Sequence, residues 1–296
     1  MLRRIQRSPM NTSTLGCGQV LQQLLNRKDL TGRTVYITVG GSSTNDLGCG
    51  LASALGYQFL DSNGRKIEET TLVGSKLTEV NAIEPPPARI MQKLKDLNLI
   101  VWTDVATPLR DCTAMFAPQK GATTSDLPLL QKGIENIAKI IGQSNWCSLD
   151  ARSLLEMKSG GAAGGLAAGL MAFAGARIEP GFESISSLLN LPNVISNSDL
   201  VITGEGKLDA TSFVGKVPCR AANLAKLYGT PCIGIAGAVP TDPILLQKLY
   251  GEGLTSMFAI ASGPLTLKDS KEGAFELIKA TTEQVIRTLF ALNSIK

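Results

Sequence analysis

Acid, amine and hydroxyl side chains recur beside glycines at the ends of apolar runs in this sequence, a pattern suited to handling phosphate. Residues 34–39 (TVYITV) read as a strand opening into Gly40, Gly41, Ser42, Ser43, Thr44, Asn45 and Asp46, and a small-residue helix pattern (GCGLASALG) starts at Gly48. Glycines there let backbone N–H groups approach an anion at a helix N-terminus, the hydroxyl and amide side chains add donors, and Asp46 is placed to face a metal. The segment also suits a tight βα turn that needs only glycine and a capping hydroxyl. It is neither a P-loop nor a dinucleotide fingerprint, because the Gly-Lys-Ser/Thr ending is missing and the glycine spacing differs. Residues 200–203 feed a second loop, Gly204-Glu205-Gly206-Lys207-Leu208-Asp209, with Lys216 ahead of the next helix. Glu205 and Asp209 could hold Mg²⁺ or orient a hydroxyl while Lys207 or Lys216 neutralises phosphate charge, and Gly204 and Gly206 remove obstruction. A charged, solvated loop would have the same composition. Asp104, at the end of an apolar run, and Lys120, in Pro118-Gln119-Lys120-Gly121, complete an inventory for phosphoryl transfer by positioning, metal clamping and cationic stabilisation.

Composition removes other chemistries. The chain has no histidine, so proton transfer falls to carboxylates, lysine or solvent, and Ser-His-Asp and Cys-His mechanisms are excluded. Hydrophobic content of 44% with 18% charged residues describes a folded globular chain. The net charge of +4 is spread without a long basic block, which suits anionic metabolites and not a nucleic-acid track. Six cysteines without a CxxC pair fit reduced intracellular thiols packed as small hydrophobes, and a cytoplasmic protein is expected. The basic start MLRRIQR has no apolar run after it, so it does not support a secretory signal, and no run of about 18 apolar residues is long enough to span a bilayer. No membrane partner is expected.

The elements that must position these residues alternate. Residues 12–25 read as a helix, residues 57–60 as a strand turning back at Asn63-Gly64, residues 97–105 as a buried strand, residues 127–141 as an amphipathic helix, and KSGGAAGG (158–165) as a second glycine-rich lead into a helix. A boundary is expected near residues 191–198 (LPNVISNS), dividing the chain into 1–195 and 196–296. Beyond it LVITGEG, PCIGIAG and SMFAIAS read as strands alternating with helices, and a final helix covers about 271–292. This rhythm predicts an α/β fold with a doubly wound parallel sheet, whose ligands lie beyond the carboxyl ends of the strands.

In order, GGSSTND, TDVATPL…FAPQKGA, GGAAGGLAAGLMAFAGA, VITGEGKLDATSFVGKVP and IGIAG resemble the type I glycerate kinases, and the likeness extends over nearly all of residues 8–290. The resemblance implies two α/β domains, one Rossmann- or flavodoxin-like and doubly wound, with the active site in the cleft between them. It further implies phosphorylation of D-glycerate by ATP with Mg²⁺, most often to the 2-phosphate. The candidate set is then Gly40, Gly41, Ser42, Thr44, Asn45, Gly204 and Gly206 for substrate and phosphate, and Asp104 and Glu205 for metal. Asp46, Asp209, Lys120 and Lys216 are the catalytic candidates, with Asp46 or Asp209 accepting the hydroxyl proton. The chain departs from the family pattern in three ways. The family's SFKG and DGGEGT segments are not found, so the Rossmann-like domain is expected to be N-terminally incomplete. Thr107, Arg110, Asp111, Ala114 and Ala117 replace residues of TNPL…GxxGA and FGPQKGA, and Leu47 stands where the family has glycine. A catalytically silent ligand-binding protein is the alternative reading.

Overall fold

A computed structural model describes residues 8–293, apart from Lys28, Leu30, Thr31, Val214 and Ser262; the basic start MLRRIQR lies outside the described residues. The chain divides into two compact units, Met1–Gly181 and Phe182–Lys296. Their boundary falls ahead of the Pro- and Asn-rich stretch at 191–198. That stretch is instead a short helix with proline in its first turn, and its Ile195 is buried in the core of the second unit.

The first unit runs α1 (Leu15–Leu25), β1 (Thr34–Thr38), α2 (Cys49–Ala54), β2 (Gln58–Leu60), β3 (Ala82–Glu84), α3 (Ala88–Asp96), β4 (Asn98–Trp102), α4 (Cys112–Phe116), α5 (Leu127–Gly142), α6 (Ala151–Leu155), α7 (Leu166–Ala174) and β5 (Arg177–Glu179). β1, β4 and β5 form a parallel sheet with β4 central, Ile37 opposite Val101 and Val101 opposite Ile178. Leu99 and Val101 on one face of β4 and Ile100 on the other are all buried, as a strand covered on both sides requires. α5 carries the expected stripe, with Leu130, Ile134, Ile137, Ala138 and Ile141 all buried. Each Leu or Ile so buried stabilises the fold by about 1.5–3 kcal/mol. α7 is apolar on nearly every side and sits in the same core, its Phe173 packed edge-on against Tyr57.

The Asn63-Gly64 turn forms, with Gly64 at φ 73° donating to the Asp61 carbonyl, but the returning chain makes a single bridge from Lys66 to Leu60. The true partner of β2 is β3, antiparallel. Alternation identified β2 correctly; its partner depended on which later segment could bury Ile83 beside Phe59.

The second unit runs α8 (Gly181–Leu188), α9 (Leu191–Ser196), β6 (Val201–Glu205), α10 (Val217–Leu227), β7 (Cys232–Ala236), α11 (Pro243–Gly251), β8 (Ser256–Ala259), α12 (Leu267–Glu272) and α13 (Ala274–Asn293). Its sheet is parallel in the order β6-β7-β8. All five residues of the central β7 are buried. The predicted final helix is α13, and the first two residues of the predicted range fall in the preceding α12, which ends at Gly273. Among the described residues, no helix is long and apolar enough to cross a membrane.

Candidate active site

In the first unit, the loop after β1 changes character along its length. Gly40 and Gly41 are exposed, Ser42 and Ser43 half-buried, and Thr44, Asn45 and Asp46 buried. The buried half is held from three directions. Lys120 Nζ donates to the Thr44 carbonyl at 2.8 Å, and Asn45 Nδ2 donates to Thr113 Oγ1 at 3.2 Å. Asp46 Oδ2 accepts from Thr14 N (2.7 Å), Thr14 Oγ1 (2.8 Å) and Gly50 N (3.3 Å), while Oδ1 accepts from Gly48 N (3.3 Å).

That last arrangement corrects two expectations. The first amides of α2 are taken by Asp46, its carboxylate accepting from Gly48 and Gly50 and its carbonyl from Cys49, so the helix N-terminus is not open to an external phosphate. Asp46 itself has no exposed surface, and with four donors around it the carboxylate acts as a staple between α1, the loop and α2. A hydroxyl-proton acceptor must reach its substrate, and Asp46 does not in this arrangement. Burial raises its pKa, and its hydrogen bonds to Thr14, Gly50 and Gly48 oppose the rise.

Lys120 ends a 3₁₀ turn, Pro118–Lys120, closed by Gly121 at φ 96°. It is 4% exposed, and burial lowers its pKa to about 8 against the opposing pull of Cys112 and Asp46. Of the glycines of 158–165, Gly164 and Gly165 pack against the same loop. Leu47 N donates to the Gly164 carbonyl at 3.1 Å. A Cβ on Gly164 would lie 2.1 Å from the Thr44 carbonyl oxygen, and one on Gly169 2.1 Å from that of Leu47. The second glycine-rich segment is thus a mould for the first. Asp104 is exposed just past β4.

In the second unit, Glu205 ends β6 with Oε1 accepting from Ser212 Oγ and Oε2 3.3 Å from Lys216 Nζ. Asp209 accepts from Thr211 N (2.9 Å) and Thr211 Oγ1 (2.6 Å) and lies 3.5 Å from Lys207 Nζ. The Thr211 hydrogen bonds, chiefly that of its hydroxyl, hold Asp209 below its usual pKa, so it is ionised at neutral pH. Gly204 lets β6 approach β7, since a Cβ there would meet the Ile235 carbonyl oxygen at 2.2 Å, whereas Gly206 faces open space. Glu205, Gly206, Lys207 and Lys216 border a cavity of about 840 Å³ at the carboxyl end of the sheet. Its size suits a nucleotide-scale ligand.

The sequence pattern did not single out Thr14, Thr113, Thr211 or Ser212, although each bonds a candidate residue. Only Thr14 left a signal, as one of the hydroxyls ahead of α1. Four cysteines, Cys49, Cys112, Cys219 and Cys232, are buried as expected, but Cys17 is exposed and Cys147 half-buried. Burial drives the Cys49 thiol well up, which disfavours a thiolate at the start of α2.

The glycerate kinase family matches residues 1–290, the whole run that contains both loops. The chain belongs to the glycerate kinase family. The glycerate 2-kinase of Escherichia coli K12 is 34% identical over 288 residues, covering 96% of this chain and 71% of that protein. The glycerate kinase of Bacillus subtilis 168 is 31% identical over 287 residues, with 96% and 71% covered. The crystal structure of the glycerate kinase 2 assigned in Salmonella typhimurium LT2 superposes with a TM-score of 0.75 at 33% identity, covering 99% of this chain and 73% of that one. This glycerate kinase family member is therefore a kinase with the mixed α/β, parallel-sheet fold. Two of its departures from the family pattern have visible consequences. Leu47 is buried at φ 51°, a left-handed conformation that costs a non-glycine residue about 1 kcal/mol or more. Arg110 pairs with Glu156 on the surface.

Proposed function

We propose that this protein transfers the γ-phosphoryl group of ATP to the 2-hydroxyl of D-glycerate. What supports the reading most directly is that the family match runs through both glycine-lined loops, 40–46 and 204–209, which keep the acids, lysines and hydroxyls that phosphoryl transfer uses.

The exposed half of the first loop, Gly40, Gly41 and Ser42, offers amides and a hydroxyl to the glycerate carboxylate or a phosphate oxygen. Thr44, Asn45, Asp46 and Lys120 act beneath it as positioning residues. Gly206 lets the nucleotide lie close to the backbone, Gly204 serves instead to bring β6 against β7, and Lys216 offsets charge on the moving phosphoryl group. Asp209, ionised and 28% exposed, takes the hydroxyl proton. Its low basicity suits a loose transition state, in which the proton leaves late and positioning outweighs base strength.

Among the described residues no group of three or more acids, cysteines or histidines is placed to hold a metal ion. A Mg²⁺ arriving on nucleotide phosphates needs only one or two carboxylates, and Glu205 fits that role in the second unit, with Asp104 the candidate in the first. When bound, the ion screens the phosphate charge. A silent binding protein is not favoured, because Lys120, Glu205 and Lys216 are all retained with charge partners or hydrogen bonds.

A coupled assay with ATP, Mg²⁺ and D-glycerate, followed by phosphorus NMR of the product, tests the proposal. Turnover to 2-phosphoglycerate is expected. Folded protein that binds ATP and glycerate without turnover would overturn it, and 3-phosphoglycerate as product would overturn the choice of hydroxyl.

A further inference from the structure

The loop after β1 uses its carbonyls and leaves its amides unused. Thr12 Oγ1 donates to the Ser43 carbonyl at 2.8 Å, Lys120 Nζ to that of Thr44 at 2.8 Å, and Cys49 N to that of Asp46 at 2.8 Å. The N–H groups of residues 42–46, by contrast, donate to no acceptor among the described residues. Solvent can serve the half-buried Ser42 and Ser43, but Thr44 is only 8% exposed, and Asn45 and Asp46 have no exposed surface. Roughly nine in ten or more of the buried amides in folded proteins are paired, so three successive open ones call for an acceptor from outside the chain. Each open N–H also carries partial positive charge, and the Lys120 ammonium is bonded to the same loop. The Asp46 carboxylate is committed to Thr14, Gly48 and Gly50. What holds the carbonyls sets the aim of the amides. N–H and C=O point oppositely across a trans peptide, so the bond from Thr12 turns the Thr44 N–H away from residues 8–14. That segment is itself seated, with Ser75 N donating to the Met10 carbonyl at 3.0 Å and Thr14 bonded to Asp46.

We infer that Thr12 is a positioning residue that aims the amides of Ser42, Ser43 and Thr44 at an oxyanion of the substrate, the carboxylate of a small hydroxy acid or a phosphate. The oxyanion accepts from these N–H groups and from the hydroxyls of Ser42 and Ser43. Thr12 acts through the Ser43 carbonyl without touching the ligand, and Lys120 fixes the next peptide in the same way. The choice of ligand rests on the phosphoryl-transfer reading; what is added is the set of amides that receives the charge and the residue that directs them.

The test follows the amide resonances of the full 296-residue protein by nitrogen-proton NMR, without ATP, as sodium D-glycerate, inorganic phosphate or glycerol is added. An amide that gains an anionic acceptor moves downfield. Ser42, Ser43 and Thr44 should shift with glycerate if the carboxylate is the ligand and with phosphate if the phosphoryl group is, while glycerol should leave them in place. Thr12→Val keeps the shape and removes the donor, and it should weaken binding of that anion by about tenfold or more, whereas Thr12→Ser, which keeps the hydroxyl, should stay within about twofold. Thr71→Val, which removes a surface hydroxyl bonded to the Glu68 carbonyl, should bind as the parent does. Circular dichroism checks that each variant is folded. Shifts confined to other residues, equal shifts with glycerol, Thr12→Val binding as tightly as the parent, or Thr12→Ser as weak as Thr12→Val would overturn the inference. Shifts at 42–44 in a protein without turnover would remove the phosphoryl-transfer reading and keep the amide strip; turnover without those shifts would do the reverse.

Discussion

Lys120 shows what a buried ammonium costs and what it supplies. Its pKa of about 8 lies below the value of about 10.4 for an exposed lysine in the unfolded chain. Between those values the unfolded chain binds a proton that the native one does not, so stability rises with pH from about 8 to about 10; below 8 the penalty for burying the charge is fully present. Lys120→Met should abolish that rise, measurable by urea denaturation at pH 7.5 and 9.5, and a slope unchanged in the variant would mean that another group titrates. The hydrogen bond to the Thr44 carbonyl gives the lysine its reason to be there. In the kinase assay turnover should fall as pH passes about 8 and this cation is lost, whereas Lys120→Arg, charged throughout, should lack that limb.

At the scale of elements, the close fit of α7 and its lead-in against the 44–48 loop depends on the missing side chains of Gly164 and Gly169. Alanine at either would place a methyl group 2.1 Å from a backbone oxygen, and Gly164 is also left-handed at φ 70°. Overpacking costs about 1–3 kcal/mol, and the backbone strain at Gly164 adds about 1 more. Gly175 is the control, since it has a similar φ of 68° but open space around it, and Gly175→Ala should cost only about 1 kcal/mol. Urea midpoints rank the three. Gly164→Ala matching Gly175→Ala would show that the loop moves aside freely, and the mould would then have no function.

At the scale of the molecule, each unit has its own core, but the cover is unequal. α5 buries six residues against the first unit's core, and β7 buries all five of its residues, while α13 buries Val285 alone among those described. Local opening follows such differences in buried apolar contact. Native-state hydrogen exchange should therefore find the amides of α13 exchanging well before those of α5 and β7. Equal protection in the isolated protein would mean that the α13 face is already covered.

Chemistry-bearing types beside glycines, the missing histidine and the alternation of strand and helix patterns were enough to indicate an α/β phosphoryl-transfer protein, because backbone geometry and side-chain reactivity are local properties. The stripe on α5 and the strands β4, β6 and β7 were legible for the same reason. Other features were not, because they depend on which groups lie close in space. Asp46 looked like a reactive carboxylate until Thr14, 32 positions away, was found beside it. The glycines of 158–165 looked like a lead into a helix and nothing more until the Thr44 carbonyl was found against Gly164. Residue type set what each group can do; only the tertiary structure decided which groups keep contact with solvent, since burial and long-range hydrogen bonds are properties of the packed chain.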